Sequence, residues 1–222
     1  MLRKVLISLI IISAVSAIYA DYIGSSLYTF LKPITTGIII GSALLFKNNS
    51  SKKYVNLIVV GLIFCLIGDV LLLEEARFVW GLGAFVIGHF LFSEAFRSFK
   101  GITLYYKELG ILSALGVVVF SLLFADLGEF MVPALLYIGV IVYMGWMGIC
   151  FHKSKVFIKS KWIPMAVSLF MFSDILISLE KFKWPSLVLG APILIAYWIS
   201  IYLIGDSITR NDEDSNPEEA ID

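Results

Sequence analysis

Residues 54–73 read YVNLIVVGLIFCLIGDVLLL, a stretch whose only charged side chain is Asp69 and which contains no proline. At a rise of 1.5 Å per residue, a helix of this length reaches about 30 Å, the thickness of a bilayer's hydrocarbon core. The stretch therefore reads as a transmembrane helix. A charged side chain in that setting costs at least ~2.5 to 3.5 kcal/mol on insertion scales, so it is kept where it faces a partner or a wet cavity. One segment thus sets the fold class and points to where function lies.

The rest of the chain repeats the pattern. Of its 222 residues, 59% are apolar and only 15% charged, and the mean hydropathy is +0.93; a soluble domain carries roughly 25% charge. Further apolar blocks fall at 5–20, 27–46, 78–96, 102–124, 130–151, 162–179 and 186–205. The expected fold is all-α: a polytopic membrane protein with eight transmembrane helices spanning residues 1–208. An acidic, disordered C-terminal tail is expected at 209–222, which is rich in Asp and Glu and nearly devoid of apolar residues. The first block, with Arg3 and Lys4 ahead of an apolar run and small residues up to Ala20, also has the form of a cleaved signal peptide. Its loss would leave seven spans without reversing any of them.

Charge sorts by side. With eight spans, thirteen of the 17 basic residues fall on the side of the N terminus, from Arg3 and Lys4 through Lys52, Lys53 and Lys153 to Arg210. Only Arg77, Lys181 and Lys183 fall on the other side, and Lys32 lies within a span. Positive loops stay cytoplasmic, which predicts a multi-pass cell-membrane protein with both termini in the cytoplasm. The 17 acidic residues cancel the 17 basic ones, so no field gathers nucleic acid. Cys65 and Cys150 read as packing residues. No metal-ligand cluster, phosphate-binding loop or hydrolase elbow appears, so neither a cofactor nor a metal is expected. Tyr22, Tyr28, Trp80 and Trp184 on one side, and Tyr54, Tyr105, Tyr106, Trp146 and Trp162 on the other, read as interfacial belts. Gly81, Gly83 and Gly88 read as positions of close helix approach. Glu94 is spaced for a local ion pair with Arg97.

A weak internal repeat links spans three and seven. Gly68-Asp69-Val70-Leu71-Leu72 is followed by Glu75 as Ser173-Asp174-Ile175-Leu176-Ile177 is followed by Glu180, and Trp80 and Trp184 come soon after. Two parallel four-helix halves about an axis along the membrane normal would hold Asp69 and Asp174 at one depth. The same offset carries Lys32 onto Tyr137. Lys32, Asp69 and Asp174 each lie about five residues from the outer end of a span, within roughly 8 Å of that interface. His89 and Tyr197 lie deeper, and together these residues outline a polar pocket opening outward. Simpler roles exist for some of them: Lys32 can snorkel to the interface, and His89 can pack as a neutral, hydrogen-bonded ring. A single methylene does not let Asp69 or Asp174 snorkel.

Lys32-Pro33, Gly68-Asp69-Val70-Leu71-Leu72, Gly81-Leu82-Gly83-Ala84-Phe85 with Gly88-His89, Phe172-Ser173-Asp174, and Tyr197 on a helix running to Leu203-Ile204 occur here in this order. In these motifs the chain resembles the YhhN family of integral membrane lysoplasmalogenases. One departure is Ile201, four residues after Tyr197, where the family often has Gln. The resemblance implies hydrolysis of the vinyl ether bond of lysoplasmalogens to a fatty aldehyde and a glycerophospho-alcohol, with a lysophospholipid substrate held in the bilayer. That reaction needs an acid, an anion and a positioned water, as glycoside hydrolysis does. The expected catalytic residues are Asp69, Asp174 and His89, and the expected substrate-binding residues are Lys32, Tyr137 and Tyr197. Arg77, Lys181 and Lys183 are outer-surface candidates for the lipid phosphate, though they read first as ordinary solvated charges. Two other readings fit the same residues: a small proton-coupled transporter, and a hydrolase of this fold acting on another ether or lysolipid.

Overall fold

A computed structural model describes residues 1–47, 51–155, 158–184 and 187–209; the acidic tail beyond Thr209 lies outside the described residues. The apolar blocks form α1 (Leu2–Tyr22), α2 (Tyr28–Leu45), α3 (Lys52–Leu71), α4 (Phe78–Arg97), α5 (Tyr106–Leu123), α6 (Met131–Lys153), α7 (Ile163–Phe182) and α8 (Leu187–Asp206). All 8 are long and apolar enough to cross a membrane. The protein is a multi-pass helical membrane protein. The largest departure from the sequence boundaries is α5, which starts at Tyr106 rather than 102, because Gly101 turns the chain at φ 86° and the residues after it are not helical. Pro133 and Pro164 sit in the first turns of α6 and α7, where a missing N–H costs nothing.

Six helices form a ring in the order α2, α3, α4, α6, α7, α8, closed by α8 against α2 and braced by α8 against α3. Outside it, α1 leans on α2 and α8, and α5 leans on α6 and α7. The two ends of the described chain lie together at one end of the bundle, where Arg3 binds Asp206 and Lys47 bridges to Thr209. This termini end is sealed by aromatic packing. Phe96 stacks on Phe151 with centroids 5.7 Å apart, and Phe99 packs on Phe151 at 5.2 Å.

Tyr54 belongs to this seal, not to an interfacial belt as its position near a boundary suggested. It is 2% exposed, and its hydroxyl shares a 2.7 Å hydrogen bond with Ser207. Tyr22, Trp80, Trp184, Tyr106 and Trp162 are exposed, as belt residues are. Glu94 pairs with Arg97 at 2.9 Å and also accepts from the Tyr143 hydroxyl. At the far end the three outer cations are engaged: Arg77 with Glu74 at 2.9 Å, Lys181 with Glu75 at 2.6 Å and Lys183 with Asp126 at 3.0 Å. The last two tie the end of α7 to two interhelical connections. These pairs agree with the reading of the three as ordinary surface charges.

Cys65 and Cys150 are fully buried free thiols. The α4 glycines divide. A Cβ on Gly88 would stand 3.1 Å from the Gly61 backbone oxygen, so α3 and α4 meet there backbone to side, and Gly81 is crowded by Leu72. Gly83 faces outward with nothing within 4 Å and is not a contact position. Backbone cannot move aside as a side chain can. Gly88→Leu is therefore expected to cost about 1 to 3 kcal/mol, read as a lower unfolding temperature in detergent, while Gly83→Leu leaves that temperature unchanged.

Candidate functional site

Asp69 sits in the last turn of α3 and is 1% exposed. Its Oδ2 accepts from the Thr36 hydroxyl at 2.6 Å and from the Tyr197 hydroxyl at 2.8 Å. Thr36 in turn accepts from the Trp198 indole at 3.2 Å. Lys32 stands 3.8 Å from Oδ1 and is itself only 7% exposed, so it turns inward to the carboxylate and does not snorkel. Lys32 and Thr36 are one turn apart on α2, on one face, and α8 supplies Tyr197 and Trp198. Three helices thus meet on one carboxylate, with a cation and two hydroxyl donors to balance its charge. Oδ1 makes no hydrogen bond among the described residues.

Asp174 on α7 is provided for differently. Its Oδ2 accepts from the Tyr137 hydroxyl of α6 at 2.9 Å, and the Nε2 of His89 on α4 lies 3.8 Å away. The His89 ring is completely buried, edge-on to Phe170 at 4.4 Å and to Tyr137 at 5.5 Å. Neither of its nitrogens has a hydrogen-bond partner among the described residues. No lysine or arginine pairs with Asp174 among the described residues. One carboxyl is matched by a cation; the other has a phenol and an imidazole.

A single cavity joins them. Lys32, Asp69, Tyr137, Asp174 and Tyr197 all line it, together with Phe85 and Leu82, and its free space holds roughly one water molecule. Phe85 packs edge-on against Tyr197 at 5.8 Å and against Phe170 at 6.3 Å. Five of the six residues singled out in the sequence therefore line one space. His89 does not line it and stands 3.8 Å from Asp174. Thr36, Trp198, Phe85 and Phe170 escaped the sequence reading as site residues. Thr36, four residues after Lys32, carried a usable signal in its spacing; Phe85 entered only as part of the Gly81-Leu82-Gly83-Ala84-Phe85 motif, and Phe170 and Trp198 carried no charge or spacing that marks them out. Ile201 is fully buried one turn past Tyr197 and does not line the cavity.

An all-helical membrane bundle with two intramembrane carboxyls in one cavity defines the class of protein. Residues 27–208 match the YhhN family, and the chain belongs to it. The match takes in every helix that supplies the cavity and leaves out α1. Lysoplasmalogenase TMEM86A of Bos taurus is 30% identical over 168 residues, covering 70% of this chain and 66% of that protein. The protein of the same name from Homo sapiens is 28% identical over 164 residues, with the same 70% and 66% coverage. The match thus spans just under two thirds of the length of these mammalian relatives. An Escherichia coli protein described as uncharacterized membrane protein YhhN is 29% identical over 92 residues, 41% of this chain and 44% of its own. No solved structure matches the chain.

The unequal support of the two acids has a measurable consequence. Tyr137→Phe strips Asp174 Oδ2 of its hydroxyl donor, at an expected cost of about 1 to 3 kcal/mol. Tyr197→Phe leaves Asp69 both Thr36 and Lys32 and is expected to cost less, so thermal unfolding in detergent should rank Tyr137→Phe below Tyr197→Phe.

Proposed function

We propose that this protein is a membrane hydrolase that cleaves the vinyl ether bond of lysoplasmalogens to a fatty aldehyde and a glycerophospho-alcohol. The observation that carries the reading is the shared cavity lined by Asp69 and Asp174, one acid with a cation and the other without. Kinship with proteins named lysoplasmalogenase supports it from a separate direction.

The chemistry requires what such a cavity holds. A protonated carboxyl delivers its proton to the alkene carbon on the chain side; the π bond breaks, a C–H bond forms and the ether oxygen stabilises the cation left beside it. A water molecule then attacks that cationic carbon and gives a proton to the second carboxylate, forming a hemiacetal. The hemiacetal hydroxyl returns a proton to the first carboxylate as the C–O bond to glycerol breaks, and the second carboxyl protonates the departing glycerol oxygen. Both acids end as they began, and one water is consumed. Carboxylates in unlike surroundings divide these roles, as in glycoside hydrolysis. Tyr137 and Tyr197 orient the two carboxyls, and His89 positions Asp174 from behind.

The bilayer supplies a single-chain substrate from the side. Lys32 is placed to meet the lipid phosphate as well as Asp69. The seal of Tyr54, Phe96, Phe99 and Phe151 toward the termini favours a site with one opening over a path through the membrane. The reading includes cytoplasmic termini, supported by the basic residues gathered at that end, and two parallel four-helix halves. In favour of the halves, α3 takes its partners from α2 and α8 just as α7 takes its own from α6 and α4.

Purified protein in nanodiscs is expected to release fatty aldehyde from lysoplasmalogen, detected by mass spectrometry. Asp69→Asn and Asp174→Asn are each expected to lower the rate by about a hundredfold or more. Absence of aldehyde from the wild type, or full activity in both variants, overturns the proposal. For the topology, an impermeant maleimide added to right-side-out vesicles is expected to label Ser26→Cys, at the far end, and to spare Ser98→Cys.

A further inference from the structure

A second, larger space adjoins the carboxylate cavity. It is a groove between α5, α6 and α7 with about 80 Å³ of free space. Its walls are aliphatic and aromatic, with Leu115, Val119 and Ile138 among them, and its polar side chains are Tyr137, Asp174 and Ser178. Along α7 it extends from Met171 to Phe182, about 16 Å at helical rise. It meets the cavity at Leu82, Tyr137, Asp174 and Ile177, residues that line both.

The two spaces have opposite character. On one side of this junction lie Lys32 and Asp69; on the other lies a trough that suits hydrocarbon. At the outer end of the trough the rings of Phe78, Phe130 and Phe182 pack on one another, with centroids 5.5 to 6.1 Å apart, and the Lys181 ammonium, paired with Glu75, lies over the Phe78 ring. A molecule occupying both spaces therefore carries its charge at the Lys32 end and its chain in the groove.

We propose that this groove seats the hydrocarbon chain of the single-chain ether lipid, setting the chain-side alkene carbon against Asp174 and the ether oxygen and glycerophosphate toward Asp69 and Lys32. The inference rests on the hydrolase reading for the identity of the lipid and adds to it the orientation of the bond. Orientation then assigns the roles. Asp174, which no lysine or arginine pairs with among the described residues, is the group that delivers the proton to the chain-side carbon. Asp69, beside Lys32, is the carboxylate that takes the proton of the attacking water. Each carbon of the alkene lies nearest the acid that acts on it.

The test uses an uncleavable 1-O-alkyl lysophospholipid with a diazirine in its chain, photolysed with the wild-type protein in nanodiscs and mapped by mass spectrometry. Adducts are expected on groove residues such as Leu115, Val119 and Ile138. Unlabelled 1-O-alkyl lysophospholipid at ten times its Kd should reduce them roughly tenfold. Ile138→Trp, which fills the groove, should abolish the competed labelling in protein that elutes as the wild type does. Adducts spread over outward residues such as Val117, Val132 and Leu136 and insensitive to competitor indicate bulk bilayer lipid and overturn the proposal. Aldehyde release, measured separately, keeps the two readings apart. Competed groove labelling without aldehyde upholds the chain site and removes the hydrolase; aldehyde without groove labelling does the reverse.

Discussion

The structure depends on keeping a carboxylate inside a bundle that water does not freely enter. Asp69 answers that constraint with contacts from three helices: α2 brings Thr36 and Lys32, α8 brings Tyr197, and α3 carries the acid itself. An unpaired charge in such a place costs several kcal/mol. The register of α2 and α8 against α3 is therefore not free to slip. A turn's displacement of either helix would withdraw a hydroxyl or the ammonium from the acid. The same contacts that stabilise the anion thus fix the geometry of the cavity, and structural and chemical demands fall on the same atoms.

Asp174 shows the other solution. Among the described residues it keeps Tyr137 alone as a hydrogen-bond donor, with His89 at 3.8 Å, and it lies where the polar cavity opens into the apolar groove. Two acids with the same side chain are differentiated entirely by their neighbours, as acid and base pairs in hydrolases are. The bundle around them is graded in polarity: aromatic seal toward the termini, charged cavity, then hydrocarbon groove. Such a gradient suits a substrate that is itself charged at one end and greasy along the rest.

Much of this was legible before any coordinates. Eight blocks near the length of a bilayer crossing are a one-dimensional property, since the hydrocarbon thickness imposes it on each helix separately. Intramembrane Asp69, Asp174, Lys32 and His89 stand out because charge or an ionisable ring is expensive there, whatever the packing. Membership of the YhhN family likewise follows from ordered motifs along the chain. What escaped was whatever depends on the direction a side chain takes around a helix. Tyr54 sits near a span boundary and yet turns inward to Ser207; Gly83 sits between two contact glycines and yet faces outward.

The sequence by itself determined the number of spans, the class of protein and the list of residues too costly to be idle, because each of these follows from transfer energies summed along one chain. Tertiary structure alone decided that Lys32 pairs with Asp69 and Tyr137 with Asp174, that Thr36 and Trp198 complete the first of these sites, and that a hydrocarbon groove ends at the second. Those facts concern residues as many as 162 positions apart. In an apolar solvent the pattern of hydrophobicity no longer says which face of a helix turns inward, so only packing could settle which side chains meet.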